Sequence, residues 1–422
     1  MPSRTVRNVD RSLIRDKAKL IRRETVRLTD ICGSGHYGSS FSMAEIVALL
    51  YYQLLHVRAD EPRWADRDRF TMGKGHAAIG LFPVLADLGF FPAEWLDTYS
   101  RMGSFLGDHP EMKKVPGIDF SSGSIGHNLS VSVGMALGAR LKGSPARAVC
   151  LMGDGEMNEG QIWEAAQAGA HYGLDNLVGI VDINGAGSDG DPQQTLRSEP
   201  LKEKWEAFGW NTIVLKDGHD IDATFDALNR ALNAPDGRPA CVLAYTVAGK
   251  GVSFMEGTWQ WHLGFLGPKD IERAYAEIDA GEHMSQSEKY RANPPAPGMA
   301  YMSAELKKTI DLAESTVTDD FDERSWDMVV SLGLSRQLTT GRTLIELAEA
   351  GHDDIVVCTA DLGRPTQVIG FGQTYPDRYF NFGIAERNMI GAAAGLATMG
   401  LTPVISNYSF FLALISATPT CR

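Results

Sequence analysis

AVCLMGDGEMNEGQIWEAA, residues 148–166, decides the fold of this chain. A short apolar run, the texture of a buried strand, gives way to Gly153-Asp154-Gly155, and a helix is predicted from about Asn158. Thirty residues on, NLVGIVDIN (176–184) reads as a second strand and ends on Asn184. NTIVLKD (211–217) and ACVLAYTV (240–247) extend the series, with amphipathic helices between the runs. Strands alternating with helices predict an α/β fold, a largely parallel sheet flanked by helices.

That fold gives Asp154 and Asn184 a chemical meaning. Ligands of open parallel sheets bind at the carboxyl ends of strands, and two neighbouring ends can aim both side-chain oxygens at one point. A carboxylate, an amide carbonyl and a backbone carbonyl are hard oxygen donors suited to Mg²⁺ or Ca²⁺, with a diphosphate completing the shell. Gly153 and Gly155 let the backbone approach a phosphate, and the following helix offers the positive end of its dipole. A Gly-Asp-Gly triplet alone is often only a tight strand-to-helix turn. Its pairing with Asn184 on a second strand end makes the signal specific.

Working outward, residues 10–31 carry apolar side chains at helical spacing up to Gly33, and a second helix is predicted from Ser42 to about Leu55. Residues 1–285 form one α/β domain, and 286–325, with ANPPAPGMA and a charged polar stretch, read as a linker. Residues 326–422 begin a second α/β unit: RTLIELAEAG as a helix with a glycine cap, DIVVCTADLG as a strand, ERNMIGAAAGLATMG as a helix rich in small residues. Fewer than 100 residues follow the linker, short of the five or six strands such a unit uses, so the second domain is expected to be incomplete.

Composition narrows the partners. The net charge of −13 and the lack of a basic stripe argue against nucleic acid. No apolar run approaches the ~18 residues of a membrane span, and the Arg-rich but acid-containing start is neither a secretory signal nor a typical transit peptide. Five dispersed cysteines without a CxxC pair fit reduced thiols in a cytoplasmic protein, with no disulfide framework and no zinc site.

The motifs closely resemble the transketolase family, in particular the branch whose N-terminal section occurs as a separate subunit. They follow in family order: GSGHYG (33–38), DRDRFTMGKGHAAIGL (66–81), GDHPEM (107–112), SSGSIGHNLSVSVGMALG (121–138), the two strand-end motifs, LKEKWEAFGW (201–210), GKGVSFMEG (249–257) and FGIAERNMIGAAAGLA (382–397). The resemblance implies thiamine diphosphate and Mg²⁺ (or Ca²⁺) as cofactors. Asp154, Asn184 and the Ala186 carbonyl would hold the metal, while His76, Gly123, Ile125, Gly153 and Gly155 would contact the coenzyme. His36, His109 and His262 would line the substrate channel, where a histidine can donate, accept or shuttle a proton. Glu386 would activate the coenzyme through its aminopyrimidine ring, as a carboxylic acid kept protonated by burial. The family supplies this glutamate from the opposite subunit, implying a homodimer with Glu159 and Glu164 relaying between its two sites. Asp361, Tyr408 and Phe411 would lie near the pyrimidine. The activity implied is transfer of a two-carbon ketol unit from a ketose to an aldose.

Four departures qualify the transfer. The family's Gly-Gln-Gly is here Gly126-His127-Asn128, WHLGFLG (261–267) lacks the usual proline after its histidine, and Gln337 beside Arg336 stands where an arginine would bind sugar phosphate. The substrate is then expected to be a non-phosphorylated or unusually substituted sugar. After Phe411 the chain leaves the family pattern, as a truncation or frameshift would. Two alternatives stay open, a catalytically silent coenzyme-binding paralogue and a 2-oxo-acid-utilising enzyme.

Overall fold

The structure is a computed structural model that describes residues 8–278, except 189 and 234–235, and residues 340–407, except 364–365. The chain divides into two compact units. Residues up to 278 together with Arg387–Leu401 belong to the first, and 340–386 with 402–407 to the second.

The first unit is built on a five-stranded sheet of order β1-β2-β3-β5-β4, parallel throughout. Its strands are β1 (Arg69–Met72), β2 (Ala148–Gly153), β3 (Leu177–Ile183), β4 (Asn211–Leu215) and β5 (Ala240–Tyr245). β2 and β3 are adjacent, with Gly153 opposite Asp182, so both chains leave the sheet side by side. Both strands are buried along almost their whole length, which is why they read as unbroken apolar runs. β1 escaped the sequence reading because RFTM carries two polar residues. It is nonetheless buried throughout, and the Arg69 guanidinium is absorbed by the carbonyls of Trp64, Ala65 and Arg67.

Helices of the first unit are α1 (Arg11–Cys32), α2 (Tyr37–Ser42), α3 (Ala44–Leu49), α4 (Ala78–Asp87), α5 (Asn128–Leu141), α6 (Gly160–His171), α7 (Pro192–Thr195), α8 (Leu201–Ala207), α9 (Ile221–Leu232) and α10 (Pro268–Ile278). α1 starts where the Asp10 carboxylate accepts from Leu13 N and stops at Gly33, whose φ of 82° lies in the left-handed region. Ile14, Ile21 and Leu28 lie on its buried face and join α3, α4 and the sheet in the main core. The single helix expected from Ser42 to Leu55 is a correction. The helix begins earlier, at Tyr37, breaks at Met43 (φ −88°, ψ 0°), resumes as α3 and ends in a π-helical turn over Leu50–Leu54. Gly38, Ser39 and Ser40 are poor helix formers, so nothing in the sequence marked that first turn.

The second unit contains a helix over residues 340–349 (α11), then β6 (Ile355–Thr359), α12 (Ile369–Thr374), β7 (Tyr379–Asn381) and β8 (Thr402–Ser406), with a parallel sheet of order β7-β6-β8. Leu344, Ala348, Ile355, Val357, Val368 and Phe371 form its core. Helix α13 (Glu386–Thr398) opens on the last residue before the division between the units; its remainder lies on the first unit, against α5. There its small residues have a use. A Cβ on Gly395 would stand 1.9 Å from Val131 O, and one on Gly134 would stand 1.8 Å from Ala392 O. The expected linker, 286–325, lies outside the described residues.

Candidate active site

Asp154 and Asn184 are the first residues beyond β2 and β3. The Asp154 carboxylate joins the two strand ends. Its Oδ1 accepts from Gly155 N and its Oδ2 from Gly185 N, both at 2.9 Å. Asn184 Oδ1 accepts from Ala186 N at 3.0 Å, and its amide nitrogen donates to Ser42 Oγ at 3.1 Å. The Ala186 carbonyl faces His262 Nδ1 at 3.1 Å. The three expected metal ligands thus stand along one hydrogen-bonded turn.

Burial pushes Asp154 up to about 6, against the lowering effect of the Gly185 N–H, and Asp182 adds repulsion. A cation would reverse that penalty. The donor set has one carboxylate, so it is no cluster of three acidic or histidine ligands, and none is found among the described residues. It is a hard-oxygen set suited to Mg²⁺ or Ca²⁺. The glycine backbone beside it is uncovered. A Cβ on Gly155 would meet only Pro192 at 4.0 Å, and one on Gly185, at φ +71°, would meet nothing within 4 Å. The residues present therefore fit a metal-bound diphosphate.

Beneath this turn lies a buried charge pair that sequence reading missed. Asp182, fully buried within β3, accepts from Lys74 Nζ and from the Ser42 and Thr246 hydroxyls. Lys74 also donates to Ser39 O at 2.9 Å. Ser42 touches both Asp182 and Asn184, so the pair fixes the side chain at the strand end. Two signals were legible: an aspartate inside an otherwise apolar strand, and a lysine between the glycines of GKGH.

Four histidines gather above. Rings of His36, His76 and His262 stand with centroids 4.8, 5.2 and 5.6 Å apart. Gly35 and Gly264 exchange two backbone hydrogen bonds, at 2.9 and 3.0 Å, which bring His36 to His262 in spite of the unusual WHLGFLG context. His76 Nε2 lies 3.1 Å from Ser39 Oγ. His109 borders Gly75 and Gly123. Burial lowers His36 to about 4 and His76 to about 2, and their imidazole neighbours add to the effect. His109 and His262 are lowered by burial as well. These rings are neutral at pH 7, able to donate from one nitrogen and accept at the other.

The loop with Gly123 and Ile125 reaches Gly126, whose φ is 87°. Ile125 is 36% exposed, an apolar side chain open to a ligand ring. His127 precedes α5 and is lowered by burial, partly opposed by Glu159. The helix expected near Asn158 begins two residues later: Gly155–Asn158 form a 3₁₀ turn, and Glu159 stands at the N-cap position of α6 without a side-chain capping bond. Glu159 and Glu164 are half-buried, not on a solvated face, and Glu164 Oε2 accepts from Asn388 N at 3.3 Å. Glu156, unremarked in the sequence, is buried, and burial pushes it up to about 7 against the Gly126 and Gly153 N–H donors.

In the second unit, Asp361 follows β6 in the left-handed region at φ 57°, its N–H donating to Asn381 Oδ1. Such strain in a non-glycine residue often marks a functional site. Glu386 is the first residue of α13 and half-buried. Tyr408, Phe411 and Gln337 lie outside the described residues.

Comparison with known proteins identifies the family. Residues 14–285 match the family model for the transketolase thiamine diphosphate binding domain, and residues 335–420 that for the transketolase pyrimidine binding domain. The chain is 39% identical over 266 residues to the 6-deoxy-6-sulfo-D-fructose transketolase subunit SqwG of Clostridium sp. (strain MSTE9), covering 63% of this chain and 96% of that one. It is 32% identical over 400 residues to the transketolase of Pongo abelii, covering 94% of this chain and 61% of that protein. In fold it resembles the transketolase of Campylobacter jejuni, with a TM-score of 0.79 at 22% identity over 97% of this chain and 67% of that one. Motif order, strand-end geometry and both domain matches converge: the chain belongs to the thiamine-diphosphate-dependent transketolase family.

Proposed function

We propose that this protein binds thiamine diphosphate through a divalent cation, Mg²⁺ or Ca²⁺, and transfers a two-carbon glycolaldehyde unit from a ketose donor to an aldose acceptor. One observation supports the reading: the Asp154 carboxylate, at the end of β2, accepts from Gly185 N in the turn that follows Asn184 at the end of β3, which ties the two strand ends together. Asp154, Asn184 and the Ala186 carbonyl would hold the cation, with the backbone at Gly153 and Gly155 and the His76 ring on the diphosphate. Gly123 and Ile125 would border the rings of the coenzyme, with Asp361, Tyr408 and Phe411 near the pyrimidine.

When bound, the coenzyme supplies a carbon nucleophile for the ketose carbonyl. This chain's own residues orient the sugar and move its protons. His36, His109 and His262, neutral at pH 7, would bind the donor hydroxyls and pass a proton to or from them. Glu386 would hold a proton toward the aminopyrimidine from the opposite subunit of a cytoplasmic homodimer, with Glu159 and Glu164 linking the two sites. No helix among the described residues is long and apolar enough to cross a membrane. The partners would be small-molecule sugars.

The donor is a sugar without a phosphate or with another substituent. Gln337 stands where the family has a phosphate-binding arginine, and one relative is named for a sulfo-sugar. A coupled ketol-transfer assay on plain, phosphorylated and sulfonated ketoses tests both statements. Turnover dependent on thiamine diphosphate and a divalent cation is expected. Pyruvate decarboxylation without ketol transfer would assign the chain to 2-oxo acids, coenzyme binding without turnover would make it a silent paralogue, and a strong phosphate preference would defeat the substrate reading.

A further inference from the structure

Glu156 is held by backbone from a loop and a strand end, and pressed by the chain that follows β1. Its Oε1 accepts from Gly126 N at 2.8 Å and its Oε2 from Gly153 N at 3.0 Å. A Cβ on Gly73 would stand 2.4 Å from Oε1 and 2.6 Å from Oε2, so only glycine lets the chain carrying Lys74 and His76 run against the carboxylate. Glu156 is 3% exposed, its carboxylate taken up by these two backbone N–H groups. We propose that Glu156 is a positioning residue, which locks the Gly123–Gly126 loop to the end of β2 and so sets the width of the slot for the coenzyme. The inference rests on reading that slot as the thiamine diphosphate site.

The argument is one of donor and acceptor count. Two converging N–H groups need two acceptor oxygens, and a carboxylate at the end of two methylenes supplies both. Glutamine has nearly the same volume but one acceptor. Its NH₂ would face a backbone N–H, leaving two donors opposed in a buried place. Aspartate keeps both oxygens on a shorter stem and cannot span the same gap.

The test uses the full chain with Glu156→Gln and, as a second variant, Glu156→Asp. Calorimetry at saturating Mg²⁺ measures thiamine diphosphate affinity, hydrogen exchange measures protection at Gly126 and Gly153, and thermal melting of the coenzyme-free protein reports on folding. Glu156→Gln is expected to weaken the coenzyme Kd by ~10-fold or more and to speed exchange at both glycines, with the melting temperature of the coenzyme-free protein lowered by only a few degrees. A melting temperature that collapses with an unchanged Kd would make Glu156 merely structural and overturn the proposal. So would wild-type Kd and protection in both variants. Failure of the wild type itself to bind the coenzyme would instead overturn the functional reading, while the exchange measurement still decides whether Glu156 holds the loop to the strand end.

Discussion

Replacing Lys74 by methionine tests the support beneath the strand ends. The substitution keeps the apolar stem and removes one charge from a place where its partner, Asp182, is fully buried. Breaking one side of a buried ion pair costs about 3–5 kcal/mol, because the remaining charge stays in low dielectric. The Ser42 and Thr246 hydroxyls still donate to Asp182, which places the expected loss at the low end of that range. For a unit of this size each kcal/mol moves the melting temperature by roughly 2 °C, so Lys74→Met is expected to lower it by about 6 °C. The double variant Lys74→Met/Asp182→Asn removes the stranded charge and keeps an acceptor for a hydroxyl. It is expected to recover at least half of the loss in a calorimetric double-mutant cycle. A fall of less than about 2 °C for Lys74→Met, or strict additivity in the cycle, would refute the reasoning.

Other parts of the fold give independent expectations. Burial alone would raise the Glu45 carboxyl, yet Arg22, bonded through both terminal nitrogens at 2.7 Å, and His219 at 2.9 Å hold it at about 2. A folded-state value below the ordinary 4.5 means that the stabilisation is complete above that pH and is lost as the pH falls from about 4.5 to about 2. Glu45→Gln should therefore flatten this acid limb in urea unfolding measured at stepped pH. Gly395→Ala should drive its Cβ into Val131 O and loosen α13 from α5, costing ~1–3 kcal/mol and exposing the helix to proteolysis. The control Gly160→Ala, at the start of α6 with nothing within 4 Å of its Cβ, should be neutral or slightly stabilising.

β2, β3 and β5 were legible because strands buried along almost their whole length read as apolar runs, and β4, a partly exposed edge strand, because its residues are apolar and β-branched; all four fall within a residue or two of the runs read from the sequence. β1 was not, since its arginine finds carbonyl partners that no pattern announces. The helix through Ser42 was misplaced because tertiary packing around Phe41, rather than the propensity of Gly38-Ser39-Ser40, forms its first turn. In the site, Asp154, Asn184 and the histidines stood out because glycines or strand ends present them. Lys74, Asp182 and Glu156 hold those residues from behind and carry no motif of their own, only the oddity of charge in buried sequence. The Gly35–Gly264 pairing that brings His262 to His36 depends on backbone, which side-chain identity does not reveal.

Manganese substituted for magnesium in crystals grown with thiamine diphosphate gives the most direct test, since its anomalous signal locates the cation independently of any assumed ligand. A single peak is predicted at bonding distance from an Asp154 oxygen, Asn184 Oδ1 and the Ala186 carbonyl, with the diphosphate completing the shell. A peak elsewhere, or coenzyme bound while the side chains at 154 and 184 point apart, would contradict the account.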